Sequence, residues 1–277
     1  MSSFIQLEKR KIGTSHPVYI IAELSANHNQ DFNQAEKLIR AAKETGADAV
    51  KLQTYTPDTL TINCNNNYFR IGKGTQWEGK NLHSLYQEAY TPWEWQLDLK
   101  KIANDLGMDL FSTPFDFSSV DFLESMDIPV YKVASFEIVD IPLIQKIAQT
   151  GKPIIMSTGM ASLAEIEEAV NAIRNEGNDQ IALLKCTSAY PALPEDMNLK
   201  TIPDMAKKFN VPVGISDHTL GITVPPLQQL LSVPVLWKNT SPYQELTLDR
   251  IAVSPLNPTS SEQWLIQSVR PRRHLGR

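Results

Sequence analysis

The sequence predicts an α/β protein on a parallel sheet: a (β/α)8 TIM barrel that is incomplete after its seventh strand. Three observations predict it. Seven short apolar runs rich in β-branched residues recur along the 277 residues, amphipathic stretches lie between them, and glycine follows a helical run at Gly46, Gly107 and Gly177. Runs without alternation suit strands buried on both faces, as a parallel sheet requires. Glycine just past a helix supplies the left-handed cap. Seven βα repeats are one short of a closed barrel. An open doubly wound sheet is the rival, but no glycine fingerprint follows the first run.

The first run is 18–24 (VYIIAEL), followed by a helical stretch at 33–45 with apolar residues on one face. The second, 49–54 (AVKLQT), opens the longest connection, 55–91, which carries Asn, Gly, Tyr and Trp and belongs on the catalytic face of a barrel. A helix at 93–106 leads to the third run, 109–114 (DLFSTP), and then come 130–135 (VYKVAS) and 153–158 (PIIMST). A helix at 163–175 leads to 181–187 (IALLKCT), and the last run is 212–217 (PVGISD).

Composition narrows the function classes. With 26 Lys+Arg against 31 Asp+Glu the net charge is -5, which excludes a strongly cationic nucleic-acid binder. No apolar run reaches the ~18 residues of a membrane span, and the N-terminus MSSFIQLEKRKIG lacks a secretory core. Two cysteines, Cys64 and Cys186, make no disulfide framework, so a reducing cytoplasm is the expected location.

Polar residues gather where the runs end. Glu23, Ser25, Asn27 and His28 close the first; Lys51 and Gln53 lie in the second; Ser112 and Thr113 in the third. Lys132, Ser135 and Glu137 follow, then Ser157 and Thr158, then Lys185, Thr187, Ser188 and Tyr190, and finally Ser216, Asp217 and His218. A buried ionisable group is costly without a partner, and in a barrel these ends converge on one mouth. Two lysines among hydroxyls suit a phosphate: ammonium groups neutralise charge and hydroxyls donate short hydrogen bonds. Taken singly, each residue also has an ordinary explanation, as turn chemistry or a surface lysine. Cys186 reads as a small core residue.

The segments IAELSANHNQ (21–30), ADAVKLQTYTPDTL (47–60), FSTPFD (111–116), YKVASFEIVD (131–140), STGMAS (157–162), LLKCTSAYP (183–191) and VGISDHTLGI (213–222) resemble the sialic acid synthase family. Its members condense phosphoenolpyruvate with an acylamino sugar. IAELSANH, TYTPDTLT, the 76–95 segment and YKVASFE are nearest to its pseudaminic acid branch; N-acetylneuraminate and legionaminate specificities stay open. The resemblance covers residues 17–225. It implies a (β/α)8 barrel, a divalent metal (Mn2+ or Mg2+), and a homodimer in which a C-terminal antifreeze-like domain reaches the partner's site. By position, Lys51, Thr113, Lys132, Ser135, Ser157, Ser188 and Ser216 would hold phosphoenolpyruvate, although Ser188 stands where many members have Asn. Gln53 and Tyr190 would face the sugar. Glu23, Glu137 and Lys132 would be catalytic, with Glu137 near the developing tetrahedral carbon and Lys132 beside the departing phosphate. His218 would be one of two metal-ligating histidines. No nucleic acid or membrane partner is implied.

After residue 225 the resemblance stops. The last 52 residues hold one Ala, against 19 before them, and six prolines. The family would continue with an apolar helix and an eighth strand that carries the second histidine. Joining the third base of each codon to the first two of the next recovers such a sequence. Trp237-Lys238 then gives Glu, Lys238-Asn239 permits only Lys or Glu, Asn239-Thr240 only His or Tyr, Thr240-Ser241 permits Phe, and 226–236 can read AAAVALGACV. The expected organisation is therefore a synthase barrel at 1–225 and an out-of-frame tail at 226–277, with the antifreeze-like domain missing and the second histidine lost. The chain as written is expected to be inactive or nearly so, and its dimer doubtful. Two rival readings are a Schiff-base aldolase with Lys185 or Lys132 as nucleophile, and a non-catalytic remnant that binds phosphoenolpyruvate.

Overall fold

The computed structural model describes residues 4–72, 78–219 and 235–239, the last as a backbone strand. Ten strands occur among them: β1 (Phe4–Leu7), β2 (Arg10–Gly13), β3 (Tyr19–Glu23), β4 (Ala49–Thr54), β5 (Asp109–Pro114), β6 (Tyr131–Val133), β7 (Ile154–Ser157), β8 (Ile181–Cys186), β9 (Val213–Asp217) and β10 (Val235–Asn239). The helices are α1 (Phe32–Glu44), α2 (Pro57–Leu60), α3 (Leu82–Ala89), α4 (Trp93–Asp105), α5 (Phe117–Ser125), α6 (Ile141–Ala148), α7 (Leu163–Asn175) and α8 (Thr201–Phe209).

The seven expected runs are β3 to β9, each within two residues of its predicted bounds. Their burial on both faces follows from their place. The barrel interior takes one face and the helices cover the other, so Ile154, Ile155 and Met156 are all buried. The helices bury one stripe each. In α1 this is Ala35, Leu38, Ile39 and Ala42, at the spacing of one helical face, and Asp31 caps its start by accepting from the backbone N–H of Asn33 at 2.8 Å. In α7 the sequence Ser162-x-x-Glu165 forms a reciprocal capping box. Gly46 and Gly177 adopt φ of 90° and 79°, the left-handed conformation expected of them.

The expected gap after the seventh strand is filled. Val235–Asn239 runs parallel to both β3 and β9, and the eight strands close in the order β3 to β10. The register sets Trp237 level with Ile21 and Ser216, and Asn239 level with Glu23. The physical reason is backbone pairing. Without this segment β3 and β9 would each present a row of unpaired N–H and C=O groups. Any extended, β-prone stretch of sufficient length can satisfy them, and VLWKN qualifies.

The antiparallel hairpin β1–β2, which the sequence did not single out, lies across the N-terminal ends of the barrel strands. Ile5, Leu7 and Ile12 join the core. Arg10 pairs with Asp48 at 2.8 Å, and the Gln6 N–H donates to Gln180, just before β8. The long connection is folded on itself. His83, at the start of α3, bonds Asp58 of α2 at 2.9 Å, and Tyr55 contacts both Tyr86 and Phe115 edge-on. Among the described residues no helix is long and apolar enough to cross a membrane.

Candidate active site

The C-terminal ends of the strands hold the predicted residues together. Lys51 of β4 is buried and ion-paired with Glu23 of β3, and it donates to Thr113 Oγ1 of β5 at 3.1 Å. Strand alternation puts Gln53 on the same face of β4 as Lys51, half-buried nearer the mouth. Lys132 of β6 is 3% exposed and donates to Ser157 Oγ of β7 and to the carbonyl of Val133, both at 2.6 Å. Among the described residues Lys51 has a carboxylate in contact and Lys132 has none. Burial, reinforced by the charge of Lys51, pulls the Lys132 ammonium down to about 7. Glu23, Glu137 and Cys186 also lie close enough for their charges to bear on it.

Glu137 sits in a short 3-10 turn after β6, and its Oε2 is buried with no hydrogen-bond partner among the described residues. Burial raises its carboxyl above the ordinary range, against the opposing pull of a backbone N–H and Lys132. Tyr86 of α3 is near enough to feel that charge, so the long connection does return to the site.

On the far wall the side chains crowd around Gly159. A Cβ there would meet Ser188 Oγ at 2.2 Å, Ser135 Oγ at 2.7 Å and Cys186 Sγ at 3.2 Å, so only glycine leaves room for these three groups. The Gly159 N–H donates to Ser135 Oγ at 3.1 Å. Cys186 is buried as expected, but it faces the basin rather than the packed core: its sulfur lies 3.8 Å from His218 Nδ1. Burial pushes the thiol up; His218 and the hydroxyls of Ser135 and Ser216 outweigh it and bring it down to about 6. Tyr190 lies over the His218 ring at 4.3 Å between centroids.

The predicted site residues other than Lys185 therefore lie at one end of the strands. Lys51 and Lys132 feel each other's charge, and Lys132 feels Cys186, which touches His218. Lys185 does not join them. Alternation along β8 sets it on the opposite face from Cys186, where its amine donates to the Cys186 carbonyl at 3.0 Å. Sequence reasoning did not single out Gly159, Tyr86 or the role of Ser25. Only Ser25 carried a signal, its place two residues after Glu23.

The described residues fit a divalent ion only in part. His218 Nδ1–H donates to the Thr187 carbonyl at 2.9 Å, which leaves Nε2 as the nitrogen bearing the lone pair, the tautomer a metal-ligating histidine needs. No three His, Cys, Asp or Glu side chains gather as a ligand set among the described residues, however. Asn239 stands level with Glu23 on the adjacent strand.

The profile of the NeuB family matches residues 38–231, more than half of the chain. The chain belongs to the NeuB family. A fellow family member, the pseudaminic acid synthase of Helicobacter pylori, is 48% identical over 223 residues, which cover 80% of this chain and 65% of that protein. The N,N'-diacetyllegionaminic acid synthase of Legionella pneumophila is 38% identical over 266 residues, covering 93% and 73%. Among solved structures, the N-acetylneuraminic acid (sialic acid) synthetase of Leptospira borgpetersenii in complex with citrate superposes with a TM-score of 0.83 at 30% identity, covering 100% of this chain and 91% of that one. This NeuB chain spans about two thirds of the length of the pseudaminic acid synthases it matches, 65% and 66%.

Proposed function

We propose that this barrel carries the site of a pseudaminic acid synthase, which joins phosphoenolpyruvate to a diacetamido-trideoxy-hexose, adds water at the enol carbon, forms a nine-carbon nonulosonic acid and releases phosphate. The observation that supports it best is the pair of buried lysines, Lys51 and Lys132, converging among hydroxyls of Thr113, Ser157, Ser135 and Ser216. Such a group has no structural use equal to its desolvation cost. It matches a small ligand carrying both a carboxylate and a phosphate. The 48% identity to a pseudaminic acid synthase supports this choice of sugar, which Gln53 and Tyr190 would face.

In this reading Lys132 and Ser157 hold the phosphoryl group and stabilise charge as its C–O bond breaks. Lys51 and Thr113 hold the opposite end of the ligand. Glu137, whose carboxyl burial raises above its ordinary range, hydrogen-bonds near the carbon that becomes tetrahedral. Glu23, released from Lys51, stands beside the attacking centre. A bound Mn2+ or Mg2+ would supply Lewis acidity toward the sugar aldehyde. His218 would hold it, and one imidazole holds such an ion weakly.

The chain from residue 226 onward reads out of frame in this proposal, so turnover by the chain as written is nil or nearly so. Calorimetry with phosphoenolpyruvate tests the site. Saturable binding by the 277-residue chain, lost in Lys132→Ala, is expected; no binding, or binding indifferent to Lys132, refutes it. Phosphate release with the diacetamido-trideoxy-hexose, compared with N-acetylmannosamine, tests the sugar once the frame is restored. Brisk release by the unaltered chain would refute the claim of inactivity. A cytoplasmic location is proposed on the cysteine usage; the family's homodimer is not proposed for the chain with its tail out of frame.

A further inference from the structure

The end of β3 carries a feature that the reaction scheme leaves unused. Ser25 adopts φ of +46°, in the left-handed region where a side chain is strained and glycine is the ordinary occupant. It is buried, so solvent exposure gives no reason for a polar side chain there. The strain has a visible return. In this conformation the backbone N–H and the hydroxyl of Ser25 both turn back onto one oxygen of Glu23, Oε1, at 3.1 Å each. The other oxygen, Oε2, is in contact with Lys51 Nζ. A glycine would supply the N–H without strain but not the hydroxyl.

Both oxygens of one buried carboxylate are thus held, one by Ser25 and one by Lys51. The donor strength at Oε1 decides how much negative charge remains to grip Lys51 at Oε2. Lys51 in turn is one of the two cations offered to an anion entering the basin. We infer that Ser25 is a positioning residue that holds the Glu23 carboxylate and sets how readily Lys51 is given up to an anionic substrate. This rests on the reading above that the anion is phosphoenolpyruvate. Ser25 touches no reacting atom and acts through Glu23.

The experiment measures phosphoenolpyruvate affinity by calorimetry and melting temperature, in the full chain and in three variants. S25G relieves the strained backbone and removes the hydroxyl; its melting temperature is expected to hold or rise while its Kd rises about five- to tenfold, because Glu23 then holds Lys51 more tightly. S25A removes the hydroxyl and keeps the strain, and should weaken binding as S25G does. S25T keeps the hydroxyl but places a β-branched residue at positive φ, so it should melt lower yet bind close to the original Kd. Opposite movement of the two readouts in S25G and S25T is the signature of positioning. Affinity unchanged in S25G and S25A, or affinity that follows melting temperature through the series, overturns the inference. If the unaltered chain does not bind phosphoenolpyruvate at all, the underlying reading fails and this one with it, since no anion competes for Lys51. Should S25T not fold, S25G and S25A decide alone.

Discussion

Binding of phosphoenolpyruvate should take up a proton, and the site of uptake is Lys132. In the empty basin burial and the charge of Lys51 hold its ammonium down at about 7. The charges of Glu23, Glu137 and Cys186 pull the other way and are already included in that balance. An anion arriving beside Lys132 favours the charged form, so its pKa in the complex is higher. The sign follows. Below the free-site value the lysine is charged before and after binding, and affinity does not depend on it. Above that value the empty site is neutral, the complex is charged, and binding must draw a proton from solution. At pH 8, one unit above, about nine in ten empty sites are neutral, so binding takes up ~0.9 proton. The Kd should rise about tenfold per pH unit until the pKa of the complex is reached. From pH 7.5 to 9 that amounts to ~2 kcal/mol of lost affinity. A phosphate monoester completes its own second ionisation near pH ~6, so the ligand's charge is constant over this window. Calorimetry in two buffers of different ionisation enthalpy counts the protons directly. Lys132→Arg keeps the charge at every pH and should flatten the dependence, with weaker binding overall because the guanidinium does not fit a site shaped for an amine. A Kd constant from pH 7.5 to 9 in the original chain, or the same slope in the arginine variant, would refute the reasoning.

Three further outcomes are expected. Glu23→Gln removes the carboxylate that neutralises Lys51, so phosphoenolpyruvate should bind more tightly, by about tenfold or ~1.4 kcal/mol; weaker binding would show that Glu23 does not compete with the ligand. Gly159→Ala places a methyl group within 2.2 Å of Ser188 Oγ and 2.7 Å of Ser135 Oγ; the hydroxyls must swing away, and the expected results are a fold weakened by ~1–3 kcal/mol on denaturant titration and phosphoenolpyruvate binding reduced about tenfold. A chain stopped after residue 225 loses β10 and exposes the edges of β3 and β9; light scattering should show aggregation, and a monodisperse chain with an unaltered melting temperature would mean that barrel closure contributes nothing.

Much of the architecture was legible because a parallel barrel writes itself plainly: doubly buried strands give continuous apolar runs, and the helices between them keep a single apolar face. The site was legible for a related reason. Lys51 and Lys132 interrupt runs that are otherwise apolar, and burying an amine without purpose is too costly to recur by accident. Three features were not legible. The hairpin β1–β2 consists of two four-residue strands, too short for periodicity to register. Closure by Val235–Asn239 was missed because the family motifs read from the sequence end at residue 222, yet strand pairing uses backbone groups that every residue carries. Ser25 was seen only as one polar residue among several, because a positive φ at a non-glycine residue leaves no mark in composition or spacing.

The hairpin across the N-terminal ends of the strands makes the barrel a blind-ended well. Ile5, Leu7 and Ile12 stopper its floor, and the Arg10–Asp48 pair fastens the stopper to the wall. Anything that reaches the amines deep inside must come and go through one opening. Gln53 and Tyr190, nearer that opening, would have the larger partner resting above the smaller one. Two reactants in such a vessel queue: the deep one has to enter first, and what remains of it cannot escape until whatever lies above has departed.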